Sequence, residues 1–268
     1  MRPDQPSLEE LYHSHRGKVS DKWSSYLPVY ERSFERFRRS PVRLLEVGIQ
    51  NGGSLEIYRA YLPEGSLIVG CDINPKCQTL QYDRNVHVVV GDCGATSTQD
   101  AVTAISPRFD IIIDDGSHRS SDIIRTFLMY FPLLEEGGIF IIEDLHASYW
   151  KDWEGGLFYT LSSMAFFKLL ADTINCEHWG NGKTAVDLMS HEFVDYAQLI
   201  PAAGLKNVFS AQFFNSVCVV EKCSSSRPAG LGRRIVTGVD ASVFPGLARN
   251  GSAPIVKDEC HNPYSVFV

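Results

Sequence analysis

Long apolar runs are missing from this 268-residue chain. No stretch of eighteen or so apolar residues occurs, which argues against a membrane-spanning helix. The opening "MRPDQPSLEELYHSHRGK" has no apolar segment of the signal-peptide kind, so a cytoplasmic protein is expected. Positive charge is in short supply: 25 Lys and Arg face 32 Asp and Glu, for a net charge of -7. Such a balance suits non-specific binding of a phosphate backbone poorly, and no nucleic-acid partner is expected. The seven cysteines include no CxxC pair, which excludes the commonest zinc spacings. Their odd number fits reduced thiols better than a disulfide framework. Internal repeats are also absent. So is the G-x-G-x-x-G loop of nicotinamide enzymes, which disfavours an oxidoreductase.

What is present is an alternation of β-branched runs and helical patterns. "VRLLEVGI" (Val42–Ile49), "SLIVGCDI" (Ser66–Ile73), "VHVVVGD" (Val86–Asp92), "FDIIIDD" (Phe109–Asp115) and "IFIIED" (Ile139–Asp144) read as strands. Ser54–Leu62, Ala101–Ile105 and Ser120–Phe131 read as helices, with Ser120 or Ser121 available as a cap. Gly137-Gly138 reads as the break before the fifth strand. A late helix is expected over "HEFVDYAQLIPAAGL", ending at Gly204, followed by a hairpin over "KNVFSAQFFNSVCVVEK". Strands that are apolar along their length and alternate with helices imply an α/β fold with a parallel sheet covered on both faces. Three segments are expected: residues 1–40 as a helical cap, 41–222 as a ligand-binding catalytic domain, and 223–268 as an extended tail. That tail is rich in Ser, Pro, Gly and Arg, and is either a free end or a segment packed on another subunit.

In an open parallel sheet, ligands sit at the carboxyl ends of the strands. Acids collect there in this chain: Glu46 in strand one, Asp72 after strand two, Asp92 after strand three, Asp114 and Asp115 with His118 after strand four, and Glu143 and Asp144 after strand five. The glycine loop "EVGIQNGGS" allows a ligand to approach the backbone closely at Gly48 and Gly52. Asp72 stands where a carboxylate takes both hydroxyls of a ribose. Nucleoside binding is the reading these features favour. Asp114 and Asp115 also suit a plainer role as acids at a helix N-terminus.

"LLEVGIQNGGS", "GCDI", "GD" and "IIIDDGSH" resemble class I S-adenosylmethionine-dependent methyltransferases. "IDDGSHRSSDIIRTFLMYFPLLEEGGIFIIEDLHASYW" is similar to the metal-dependent sugar O-methyltransferases that act on macrolide antibiotics. The likeness runs over about Gly17 to Lys222 and is densest from Asp114 to Trp150. It implies a Rossmann-like, mostly parallel seven-stranded sheet with a C-terminal hairpin at one edge. It implies S-adenosylmethionine held by Glu46, Gly48, Gly52, Asp72, Asp92 and Asp114. It further implies Mg²⁺ held by Asp115, Glu143 and Asp144, three hard oxygen donors of the kind that ion prefers. His118 would then be the general base toward a sugar hydroxyl.

The resemblance thus implies methylation of a hydroxyl on a small-molecule glycoside or glycolipid, or a polysaccharide precursor, by an enzyme that is often a homo-oligomer. A non-sugar diol or phenol acceptor, and an inactive nucleoside-binding partner subunit, remain as alternatives. The chain departs from the family pattern at Tyr26, where a histidine is expected, and at His146. Tyr149, Trp150, Trp153 and "FFKLLADTINCEHWGNGK" are candidates for the acceptor wall, since aromatic faces suit sugars.

Overall fold

A computed structural model describes residues 5–83, 85–232, 240, 242 and 243. Most of the expected tail lies outside the described residues. The five apolar runs form parallel strands: β1 (Arg43–Val47), β2 (Leu67–Asp72), β3 (Val86–Val90), β4 (Phe109–Asp114) and β5 (Leu134–Ile142). The hairpin follows as β6 (Val208–Phe213) and β7 (Cys218–Lys222). Together they make one seven-stranded sheet of order β3-β2-β1-β4-β5-β7-β6, in which β7 runs antiparallel to β5 and to β6. The strand order reverses between β1 and β4, and that switch point opens a crevice beyond the carboxyl ends.

Alternating side chains divide the core between the two faces. Ile111, Ile113, Ile139 and Ile141 pack with the N-terminal helices α1 (Leu8–Ser14) and α2 (Leu27–Phe34), and with α3 (Gly53–Tyr61). Ile112, Phe140 and Ile142 face the other way, toward α4 (Thr96–Ile105), α5 (Ser120–Tyr130) and α6 (Ser163–Ile174). The same alternation, continued past the strand ends, sends Asp115 and Glu143 to the N-terminal-helix side and Asp114 to the opposite side. Among the described residues, no helix is long and apolar enough to cross a membrane.

Four local expectations are corrected. β5 begins at Leu134, so Gly137-Gly138 falls inside the strand; Gly137 (φ +74°) lies where the register with β4 shifts between Phe109 and Ile111. α4 starts five residues earlier than its apolar pattern shows, because its first turns are mostly polar and only Thr98 and Val102 are buried. The single late helix is broken into α7 (Ala185–Glu192) and the short α8 (Ile200–Ala203), although Gly204 (φ +67°) does end it. Neither Ser120 nor Ser121 caps α5. The Ser121 N–H is instead satisfied by Glu154 Oε2 at 3.0 Å, from a residue far along the chain. The described start of the tail folds back, with Ser224 bridging Arg227 and the Leu231 N–H reaching Glu177 Oε1 at 2.9 Å.

Candidate active site

Two cavities occupy the crevice. One, of about 500 Å³, is lined by Lys22, Trp23, Gly48, Ile49, Ser54, Asp72, Asp115, His118, Glu143 and Asp144, among others. The other, of about 200 Å³, is lined by Asp72, Asp92, Cys93, Asp114 and Thr126 and meets the first at Gly48, Asp72 and Gly116. A larger depression of about 830 Å³ lies on the N-terminal helices and holds none of the strand-end acids.

The glycine loop works by close approach. Gly48 has φ +82°, and a Cβ there would sit 2.0 Å from the carbonyl oxygen of Asp115, so only glycine lets the β1 loop lie against the β4 loop. Asp72 fixes the same loop, with Oδ2 accepting from the N–H groups of Ile49 (3.0 Å) and Gln50 (2.8 Å) and Oδ1 from Asn74 (2.8 Å). Asp92 accepts from the Gly94 N–H at 2.8 Å. Gly52 (φ +78°) is the N-cap residue just before α3, and its carbonyl receives the Tyr82 hydroxyl at 2.8 Å. Glu46 is 1% exposed and takes the Ser54 hydroxyl at 2.5 Å; neither it nor Gly52 lines either cavity. Burial pushes the Glu46 carboxyl up to about 7, against the pull of the nearby Lys22 charge. Asp114 is likewise raised to about 7 by burial, and its Oδ2 is buried without a hydrogen-bonding partner among the described residues.

On the β4 and β5 ends, Asp115, His118 and Asp144 converge. One ligand atom from each lies within 4.8 Å of the other two. His118 Nε2 is 3.5 Å from Asp144 Oδ2 and 4.0 Å from Asp115 Oδ1, while its Nδ1 is buried without a partner among the described residues. His118 (φ +59°) and Asp144 (φ +51°) both hold the left-handed backbone conformation, a strained choice for residues other than glycine. A set of two part-exposed carboxylates beside an imidazole, opening on a polar cavity, fits a divalent cation. Glu143, the third expected ligand, is placed differently. Its Oε1 accepts from Lys22 Nζ at 2.5 Å and from the Tyr30 hydroxyl, which leaves Oε2 as the oxygen it can offer.

Lys22 is the residue that sequence reasoning missed. It is buried, and its ammonium also lies 2.7 Å from Asp115 Oδ2. Burial works against its charge, but Glu143 and Asp115 outweigh that and hold its pKa well above the ordinary lysine value. Burial in turn raises Asp115. One signal available in sequence was the excess of acids at the strand ends, which needs a counter-charge if buried; another was the segment "SDKWSSYLPVYE", which carries Lys22 and resembles the family region that helps cover the cofactor. The segment carrying Lys22 is clamped over α3: Glu56 takes the Lys18 N–H at 2.8 Å and Lys18 Nζ at 2.6 Å, and Val19 receives the Gly53 N–H at 3.2 Å.

Tyr26 and His146, the two departures noted in sequence, meet at Ser216. The Tyr26 hydroxyl is 2.7 Å from Ser216 Oγ and 2.5 Å from Asp144 Oδ1, and His146 Nδ1 contacts the same Ser216 Oγ. Of the aromatic candidates, Trp150 packs edge-on against His146 (4.9 Å between centroids) and against Trp153 (5.5 Å). Trp23 approaches His146 from its other partner segment at 6.4 Å. Tyr149 and Trp150 are exposed, whereas Phe166, Phe167 and Leu170 of the proposed wall are plain core. That part of the expectation is corrected: the hydrophobic face of α6 serves packing with α5 and β6.

Residues 45–145 match a family model described as a methyltransferase domain. The chain is 37% identical over 183 residues to the 8-demethyl-8-alpha-L-rhamnosyl tetracenomycin-C 2'-O-methyltransferase of Streptomyces olivaceus, covering 64% of this chain and 47% of that protein. It is 28% identical over 207 residues to the mycinamicin VI 2''-O-methyltransferase of Micromonospora griseorubida, covering 74% of this chain and 48% of that one. Among solved structures, the MycE methyltransferase from the mycinamycin biosynthetic pathway, in complex with Mg, SAH and mycinamycin VI, matches with a TM-score of 0.64 and 25% identity, over 82% of this chain and 55% of that chain. This chain spans about half the length of the curated relatives it matches.

Proposed function

We propose that this chain, whose residues 45–145 match a methyltransferase domain model and whose sheet matches that of the MycE methyltransferase, moves the methyl group of S-adenosylmethionine to a sugar hydroxyl of a glycosylated small molecule, in the cytoplasm and with the help of Mg²⁺. The observation that carries the reading is the meeting of Asp115, His118 and Asp144 on the wall of a cavity that the glycine loop also lines. Asp115 and Asp144, with Oε2 of Glu143, would hold the cation. When bound, it lowers the pKa of a hydroxyl in contact with it.

The protein's own residues do the rest. Gly48, Asp72 and Asp92 line the part of the crevice suited to the nucleoside, with Asp72 also keeping the loop in shape. His118 Nε2, which faces the carboxylates, accepts the proton of the acceptor hydroxyl. The oxygen forms its bond to the methyl carbon as the carbon–sulfur bond breaks, giving a methyl ether and S-adenosylhomocysteine. Alignment of oxygen, carbon and sulfur is most of the catalytic task, and the rigid strand ends supply it. Trp23 lines the same cavity as Asp144, and His146, 3.8 Å from Asp144, extends that side through Trp150, so these rings offer a wall for the sugar.

The test is methyl transfer from labelled S-adenosylmethionine to rhamnosylated and other deoxyhexose glycosides, with Mg²⁺, with EDTA, and with Mg²⁺ restored. Transfer that EDTA abolishes and Mg²⁺ recovers is expected. Cofactor binding without transfer to any glycoside would overturn the reading, and full transfer in EDTA would remove the cation from it.

A further inference from the structure

Among the described residues, seven non-glycine residues have positive φ, and three of them are linked through Asp144: His118 lies 3.5 Å from it and Ser216 reaches it by way of Tyr26. The first two carry the site. Ser216 comes from the turn between β6 and β7, a region the strand-end acids do not predict, and it sits at φ +67°, a conformation that favours glycine. Its hydrogen bonds give a reason for serine there. Its carbonyl accepts from the Leu145 N–H at 2.9 Å and its Oγ from the His146 N–H at 3.3 Å, so Ser216 grips the turn on which Asp144 is mounted. The hydroxyl also reaches Asp144 through Tyr26. The Tyr26 phenol has one proton to give, and the carboxylate at 2.5 Å is a stronger acceptor than the serine oxygen at 2.7 Å. Ser216 therefore donates to Tyr26, and Tyr26 donates to Asp144 Oδ1. In this order His146 Nδ1, which also contacts Oγ, is the donor at the head of the chain. With Oδ1 held, Oδ2 is the oxygen that faces His118 Nε2 at 3.5 Å.

We infer that Ser216 is a positioning residue, kept at a glycine-favouring position because its hydroxyl, through Tyr26 and the 144–146 turn, sets the direction of the Asp144 carboxylate. The inference rests on the proposed function only for its consequence, cation affinity. Its geometric content stands apart from that reading.

Ser216→Gly removes the hydroxyl while suiting the backbone. The full chain carrying S216G should melt no lower than the parent, yet bind Mn²⁺, followed by the electron paramagnetic resonance of the free ion, ten- to a hundredfold more weakly. Tyr26→Phe should weaken binding comparably, and the double variant little further, since both break one chain of bonds. Mn²⁺ affinity within twofold of the parent in S216G, while Asp144→Asn weakens it, overturns the inference. A parent that binds no Mn²⁺ overturns the cation reading instead. A crystal structure of S216G then decides the inference alone: Asp144 Oδ2 should leave its place beside His118 Nε2, and an unmoved carboxylate sinks the proposal.

Discussion

Lys22 and Glu143 form a buried ion pair, with Nζ 2.5 Å from Oε1 and both side chains only 2% exposed. The same ammonium serves Asp115, so one lysine on the N-terminal segment balances acids from the ends of β4 and β5. Lys22→Met keeps most of the bulk and removes the charge. It leaves two carboxylates without a counter-ion, a loss that costs about 3–5 kcal/mol when a buried pair is broken from one side. Urea unfolding at neutral pH should show that loss, and adding Glu143→Gln should recover part of it. A variant within about 1 kcal/mol of the parent, the range of an exposed pair, would mean that the ammonium is solvated and not structural.

His118→Ala removes the imidazole from the one point where Asp115 and Asp144 both come within 4.0 Å of it. Removing a general base costs about 10²–10⁴ in turnover. The affinity for S-adenosylmethionine, measured by calorimetry, should stay near the parent value, because the smaller cavity, where the nucleoside is proposed to lie, is lined by Asp72, Asp92 and Asp114 instead. Loss of cofactor binding with intact turnover per bound cofactor would place His118 in the wrong half of the site.

Much of this arrangement was legible in the chain because it follows from short-range regularities. Five β-branched runs give the strands, and the rule that open sheets bind at their carboxyl ends gathers Asp72, Asp92, Asp115 and Asp144 on one rim. What was hidden depends on contacts distant in sequence. Lys22 reaches Glu143 across 121 positions and Tyr26 reaches Ser216 across 190, and no local pattern marks a lysine or a hairpin serine for such a role. α5 shows the same limit: the Ser121 N–H in its first turn finds Glu154 instead of a neighbouring serine. The aromatic stretch after Trp150 misled for a related reason, since Phe166 and Phe167 have the composition of a sugar platform and the burial of a core.

Gly48→Ala probes the meeting of the β1 and β4 loops. The new Cβ would overlap the Asp115 carbonyl, 2.0 Å away, at a φ of +82° that alanine resists. A loss of about 1–3 kcal/mol is expected from the backbone alone, with more from the displaced Asp115. Gly182→Ala is the matched control: φ is +71° but, apart from its chain neighbours, no atom of the described residues lies within 4 Å of a Cβ built there, so it should show only the smaller, conformational loss. If both variants unfold at the same urea concentration and G48A keeps its cofactor affinity, the close approach at Gly48 has no role in shaping the crevice.

Glu46 gives the pH dependence. Burial raises its carboxyl to about 7 in the folded chain, from the ordinary value of 4.5. Between those two values the folded state holds a proton that the unfolded state has released. Stability must therefore fall as pH rises through that window, and the charged, buried carboxylate is a fixed burden above it. A shift of that size corresponds to about 3 kcal/mol at the most. Glu46→Gln preserves an acceptor for the Ser54 hydroxyl while removing the titration. The variant should match the parent near pH 4.5, exceed it by up to that amount at pH 8, and show a flatter stability profile between. Equal slopes for parent and variant across pH 4.5–7 would show that Glu46 keeps its charge in the fold, with Lys22 as the cation that stabilises it.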